Sequence, residues 1–331
     1  MKRILYIYGG QEDKKIHTKD DEVSLYQLSD GKITGPNVRS INDHVKLNQI
    51  ATRNVGEYSE FVFSQNREFI RHNLIYKGDL SLYFLTDFSC KRSEMFPTYS
   101  NMCNALFIKS YITENNIEQV IFDGCAADTF EAMSSVIGGI EIKKWNVMDS
   151  SLNYGDVFLK NCVFFIKLII ALLLKRIFFS AKNIHEPSLI DELFLTRYPL
   201  HLNDNLYEDK YGRLVGDKGI YLINLFTDGL HQNLTLKGYL KAKHKLTPQN
   251  KVRILDDYLS LKDITSSFIY SIILMMRFRP LIKRNFILDG IDLTKSIKNE
   301  LYFSLIRLPR LLMWKSPIAK FIRTNTVKKI Y

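Results

Sequence analysis

The sequence predicts an α/β protein built on a parallel sheet. Short β-rich apolar runs alternate with longer helical patterns through the first half of the chain. Glycine or aspartate closes several of those runs, and 331 residues at 46% hydrophobic content are ample for a sizeable core. In order, RILYIY (3–8) reads as a strand ended by Gly9 and Gly10. VSLYQL (23–28) is a strand entering a Ser-Asp-Gly-Lys turn, 41–74 is mainly helical, and LSLYFLTD (80–87) is the next strand. Ala105, Leu106, Ile108 and Tyr111 fall at helical spacing within 99–115. IEQVIFDG (117–124) is then a compact strand, 126–136 a helix closed by Gly138 and Gly139, and IEIKKWNV (140–147) a strand. Ligands of such sheets bind beyond the carboxyl ends of the strands. Gly9, Gly10, Asp87 and Asp123 become candidates on that ground, although a Gly-Gly pair is more often a tight turn than a phosphate cradle.

Charge is unevenly placed. Residues 1–159 hold 17 Lys and Arg against 21 Asp and Glu, while residues 160–331 hold 29 against 14. A basic rear half suggests a polyanionic partner. Within it, CVFFIKLIIALLLKRIFFSAKN (162–183) is the most apolar stretch of the chain. A spanning helix needs about 20 mainly apolar residues, and each internal charge costs roughly 2.5–3.5 kcal/mol near the bilayer centre. Lys167, Lys175 and Arg176 therefore disfavour spanning. Lys160, Lys167, Lys175 and Lys182 fall within about 80° on a helical projection, beside a broad Leu/Ile/Phe face that also carries Arg176. That pattern suits a helix lying in an anionic membrane interface; a buried core helix ranks second and a spanning one last. ITSSFIYSIILMM (264–276) followed by Arg277 and Arg279, and LYFSLIRLPRLLMWKSPIAKFIR (301–323), repeat the apolar and basic mixture.

A polar block, FLTRYPLHLNDNLYEDKYGRLVGDKGIYLINLFTDGLHQNL (194–234), follows the apolar helix. FLTRYP and GIYLINLFTDG read as strands presenting Arg197 and delivering Asp228 and His231, with His201 and Arg213 between them. Polar loops at strand ends are where chemistry usually sits, with arginines for phosphate or carboxylate and an Asp or His as base. Taken one at a time, each of these residues is more readily a surface-loop hydrogen bonder. No GxGxxG, GxxxxGK[ST], HExxH, paired DxD or GxSxG occurs. Nicotinamide, P-loop, metalloprotease, metal-dependent transferase and serine hydrolase chemistries lack their signatures, and no cofactor or metal is expected. Four widely spaced cysteines read as reduced thiols, and the N-terminal apolar run is too short for a signal peptide. The expected division is 1–158 as the first part of the α/β domain, 159–185 as the amphipathic insertion, 186–260 as its continuation, and 261–331 as a basic helical region.

LYFLTDFSCKRSEMF (82–96) and the block 194–232 carry a resemblance. They look like a family of bacterial surface-carbohydrate biosynthesis proteins encoded among O-antigen and capsule genes. That family is glycosyltransferase-like, with a GT-B type pair of Rossmann-like domains. Its motif has Glu where this chain has Asp87, so a carboxylate is kept. The resemblance implies a nucleotide-sugar donor as co-substrate, a lipid-linked glycan acceptor, and a cytoplasmic site at the inner membrane face. It also implies Asp87 as first choice of base, with Asp128 and His231 behind it, and phosphate contacts from Arg197, Arg213, Lys91 and Arg92. It places a second Rossmann-like domain beyond residue 331, so the chain reads as a short complete member or as an acceptor-binding half partnered by another chain. A non-catalytic scaffold of a polysaccharide-assembly complex is the alternative. Nucleic acid ranks below both, because the cations are interleaved with aliphatic runs.

Overall fold

The computed structural model describes residues 2–16, 21–76, 80–90, 96–178, 189–197, 219–225, 235–246 and 251–330. It is an α/β protein whose larger sheets, among the described residues, are two separate parallel ones, of five and of four strands. Contacts divide the chain into two units: Met1–Asn153 with Arg277–Ser304, and Tyr154–Met276 with Leu305–Tyr331.

The first unit contains β1 (Arg3–Tyr8), β2 (Glu22–Gln27), β3 (Val38–Ser40), α1 (His44–Ser64), α2 (Asn66–Arg71), the single turn α3 (Asp87–Cys90), α4 (Thr98–Asn115), β4 (Gln119–Asp123), α5 (Ala127–Ser134) and β5 (Glu141–Trp145). The strands run in the order β3-β2-β1-β4-β5, all parallel. Every residue of β4 is buried, as a near-continuous apolar run in a central parallel strand requires. Phe122 packs edge-on against Phe130 of α5, and Tyr26 stacks on Phe107 of α4. On the other face Ile4, Tyr6, Tyr8, Val23, Leu25 and Ile121 form a cluster with Ile33.

Residues 80–87 are not the expected strand. Leu80–Ser81 pairs briefly with Ile75–Tyr76, and Leu82–Leu85 then forms a 3-10 turn leading into α3. The Ser81 hydroxyl caps that turn by accepting from the Tyr83 N–H, while Leu82, Tyr83 and Phe88 are buried. A short continuous apolar run has no period of its own, and burial here is satisfied by turns.

The second unit contains α6 (Tyr154–Phe178), β6 (Leu189–Arg197), β7 (Gly219–Asn224), α7 (Leu236–Leu246), β8 (Val252–Ile254), the start of α8 (Leu261–Ile282), the end of α9 (Thr294–Met313), α10 (Lys315–Thr324) and β9 (Thr326–Ile330). Its sheet runs β8-β7-β6-β9, all parallel. These strands form their own sheet and do not continue the first one.

Helix α6 is two-faced. Val157, Asn161, Phe165, Leu168, Ala171 and Leu172 are buried, with Phe165, Leu168, Ala171 and Leu172 joining the core around Leu193, Leu222 and Ile254. Leu159, Val163, Ile166, Ile170, Leu173 and Ile177 are exposed at alternating spacings of four and three. Those spacings draw one continuous apolar stripe along a helix. Tyr154–Leu174 is long and apolar enough to cross a membrane by length and composition, and a third of it is buried.

Candidate functional site

In the first unit the carboxyl ends of β1 and β4 meet at a crossing of glycines. The Gly9 N–H donates to the Asp123 carbonyl, and a Cβ on Gly9 would lie 2.9 Å from the Gly124 oxygen. Gly124 has φ +67°, and a Cβ there would come within 2.7 Å of the Gly10 nitrogen. Only glycine fits both the angle and the approach. Gly9 and Gly10 thus make a tight backbone crossing.

Beside it Asp123 is almost wholly buried. Its Oδ2 accepts from the Tyr6 hydroxyl and, at 2.7 Å, from Lys14 Nζ; its Oδ1 accepts from Asn146 Nδ2 at 3.2 Å. Burial by itself would raise this carboxyl, but the hydrogen bonds from Lys14, Tyr6 and Asn146 hold it below its ordinary value. The same contact raises Lys14, and burial followed by the Asp123 bond raises the Tyr6 hydroxyl. Asn146 reaches Asp123 from a left-handed backbone position, φ +51°. Trp145, at the end of β5, meets the Tyr6 ring edge-on at 6.0 Å and is 47% exposed. Cys125 is buried, and burial pushes its thiol up to about 12, so it is no nucleophile.

A second polar cluster joins residues far apart in sequence. Asp128 lies in the first turn of α5, and its Oδ1 accepts from the Thr129 N–H. The Thr129 hydroxyl donates to Asn101 Oδ1, Asn101 Nδ2 donates to Ser296 Oγ, and Ser296 Oγ donates to Asp128 Oδ2 at 3.4 Å. This closes a ring of polar groups across α4, α5 and α9. Next to it Glu300 accepts from the Thr98 hydroxyl, and the Ser304 hydroxyl accepts from the Asp87 N–H at 3.0 Å. Both Asp87 and Asp128 act electrostatically on Glu300. Two of the three residues proposed as base, Asp87 and Asp128, therefore lie near one carboxylate, Glu300, that the motifs did not single out. Asp87 and Glu300 are buried, whereas Asp128 is part-exposed. Among the described residues, no group of three His, Cys, Asp or Glu is placed to hold a metal ion.

In the second unit Arg197 ends β6 opposite Asn224 of β7, and the Arg197 side chain is not among the described groups. Past Asn224 the Leu225 N–H donates to Asp256, and Lys243, 1% exposed, pairs with Asp257. Burial pushes Asp256 up to about 6. Lys91, Arg92, Lys182, His201, Arg213, Asp228 and His231 lie outside the described residues. Of the cations assigned to a membrane, Lys160 and Lys167 are exposed on α6, and Arg277 and Arg279 are exposed on α8. Only the backbone of Lys175 and Arg176 is described.

Tyr6, Lys14, Asn146 and Glu300 were the residues that motif reading passed over. Glu300 left one trace: it lies on the helical face of Ile297, Leu301 and Ser304, where a carboxylate is out of place. No protein-family model, curated protein or solved structure matches the chain.

Proposed function

We propose that the chain is a membrane-peripheral, GT-B type glycosyltransferase. It moves a sugar from a nucleotide-sugar to a lipid-linked surface glycan at the cytoplasmic face of the membrane. The observation that carries the reading is the pair of parallel sheets, with orders β3-β2-β1-β4-β5 and β8-β7-β6-β9, each Rossmann-like in running outward from its first strand on both sides. The exposed stripe on α6, with Lys160 and Lys167, supports the location: apolar side chains seat at the acyl boundary while amines meet anionic headgroups.

Inverting sugar transfer needs a base for the acceptor hydroxyl and cations for the departing phosphate. Asp128 is the better base on this geometry, because it is part-exposed in the first turn of α5 while Asp87 is buried. Lys14 is the described cation at the carboxyl end of β4, and Arg197, Arg213, Lys91 and Arg92 remain proposed phosphate contacts. A second reading, a non-catalytic membrane-associated scaffold, is favoured by one observation: Asp123 spends its lone pairs on three internal donors.

One measurement separates these, and a second tests the membrane location that both share. Thermal unfolding with UDP, CMP and GDP should raise the melting temperature for one nucleotide; no shift with any of them sinks the enzyme. Pelleting with phosphatidylglycerol vesicles should be strong at low salt and weaken at 0.5 M NaCl, whereas binding to RNA but not to vesicles overturns the location.

A further inference from the structure

Helix α6 is not alone in carrying an exposed apolar row. On α8, Ile269, Ile272 and Met276 are exposed at spacings of three and four, within about 60° of one another on a helical projection. Opposite them Ile264, Ser267, Ser271 and Leu274 are buried. The Phe165 ring of α6 meets the Phe268 ring of α8 at 5.6 Å. Phe165 and Ile264 belong to one core cluster, and Phe268 packs against it. Two helices that touch and back onto one core turn their free sides to the same solvent, so the two rows border one face of the second unit.

Charge decides what that face meets. Across 157–174 of α6 and 264–279 of α8 the charged residues are Lys160, Lys167, Arg277 and Arg279, all basic and all exposed. Lys160 and Lys167 flank the α6 row at about 80–100° from its centre. An apolar centre edged by cations complements acyl chains beneath anionic headgroups. A second copy of the chain docking through the same face would bring these cations against each other with no acid from either stretch to meet them.

We propose that α6 and α8 together form one docking face for an anionic bilayer, with Ile269, Ile272 and Met276 as its second apolar row. The proposal rests on the membrane-peripheral reading and adds to it a second helix and a posture. Phe165, Leu168, Ala171 and Leu172 are held in the core, so α6 seats in one leaflet instead of crossing, although its length and composition would allow a crossing. Rows on two touching helices also resist rolling about either axis, which keeps one side of the second unit toward the lipid.

The test uses the full chain with vesicles of mixed phosphatidylglycerol and phosphatidylcholine, and pure phosphatidylcholine as the uncharged control. The wild type should pellet with the mixed vesicles and much less with the control; equal pelleting with both overturns the anionic surface. The double variant Ile269→Gln and Ile272→Gln, with α6 intact, should bind the mixed vesicles roughly tenfold more weakly or worse and melt as the wild type does. If it pellets like the wild type while Ile166→Gln with Ile170→Gln loses binding, the α8 row is overturned and the peripheral reading stands. A wild type that pellets with neither vesicle sinks both. Light scattering that shows the double variant breaking a dimer, with pelleting unchanged, makes the face a contact between copies and overturns the proposal. Should the double variant misfold, Ile272→Trp decides: its added emission should shift to the blue and be quenched by lipids brominated high on the acyl chain, and an unquenched signal overturns the proposal.

Discussion

Asp123 gathers donors from three places: a strand neighbour, a lysine of the short Lys14–Lys15 strand and a left-handed asparagine. Replacing it with Asn removes the charge those donors face, and we expect a loss of about 1–3 kcal/mol in urea unfolding, moderated because Lys14 is partly in water. Because the folded carboxyl is held below its ordinary value, its contribution is complete above about pH 4 and disappears as pH falls through the lowered folded value. Asp123→Asn should therefore flatten the acid limb of the stability profile. Gly124→Ala must place a Cβ against the Gly10 nitrogen at a positive φ; a drop of about 1–3 kcal/mol is expected in the same assay. The glycines and Asp123 were legible because turn residues punctuate a strand visibly. Lys14 was not, since it lies 109 residues from Asp123 and only the fold makes them neighbours.

At the scale of elements, α6 separates two kinds of apolar residue that the sequence writes alike. Leu168 is in the core, and Leu168→Ala should cost about 2–5 kcal/mol by leaving a cavity. Ile166 and Ile170 are exposed, so the pair Ile166→Gln and Ile170→Gln should change stability by under about 0.5 kcal/mol each while sharply reducing vesicle pelleting. A double variant that binds vesicles as the wild type does would remove the stripe from the membrane reading. The lysine side of this helix was legible from spacings of seven and eight, but its core side was not. Nearly every non-basic position is apolar, so hydrophobicity alone cannot say which third faces inward. The same ambiguity produced the strand expected at 80–87, where Leu82 and Tyr83 are buried by a turn.

Across the whole molecule, the alternation of strands and helices was enough to foresee parallel sheets, because crossover connections leave that imprint. That the strands within 1–331 divide between two large sheets was not foreseen, since 186–260 was read as a continuation of the first domain. RILYIY and GIYLIN are interchangeable as buried strands, and nothing local says which sheet each joins. Nor did composition mark the unit boundaries, two of which fall inside α8 and α9. The first unit depends on residues 277–304: Ser296 and Glu300 supply partners to Asn101, Asp128 and Thr98. A fragment of residues 1–153 should accordingly lose amide-exchange protection in α4 and α5 relative to the full chain. Equal protection in both would mean that the returning segment is dispensable.

That returning segment also sets a timetable. A ribosome emits the α/β elements of the first 153 residues long before it reaches residue 304, and in the interval Thr98, Asn101 and Asp128 have no Ser296 or Glu300 to meet. The leading portion must wait, incompletely paired, while the entire 154–276 stretch is synthesised behind it. Nascent chains of this protein should consequently engage holding chaperones late into translation, and a pause placed after codon 304 should shorten that engagement more than one placed after codon 153.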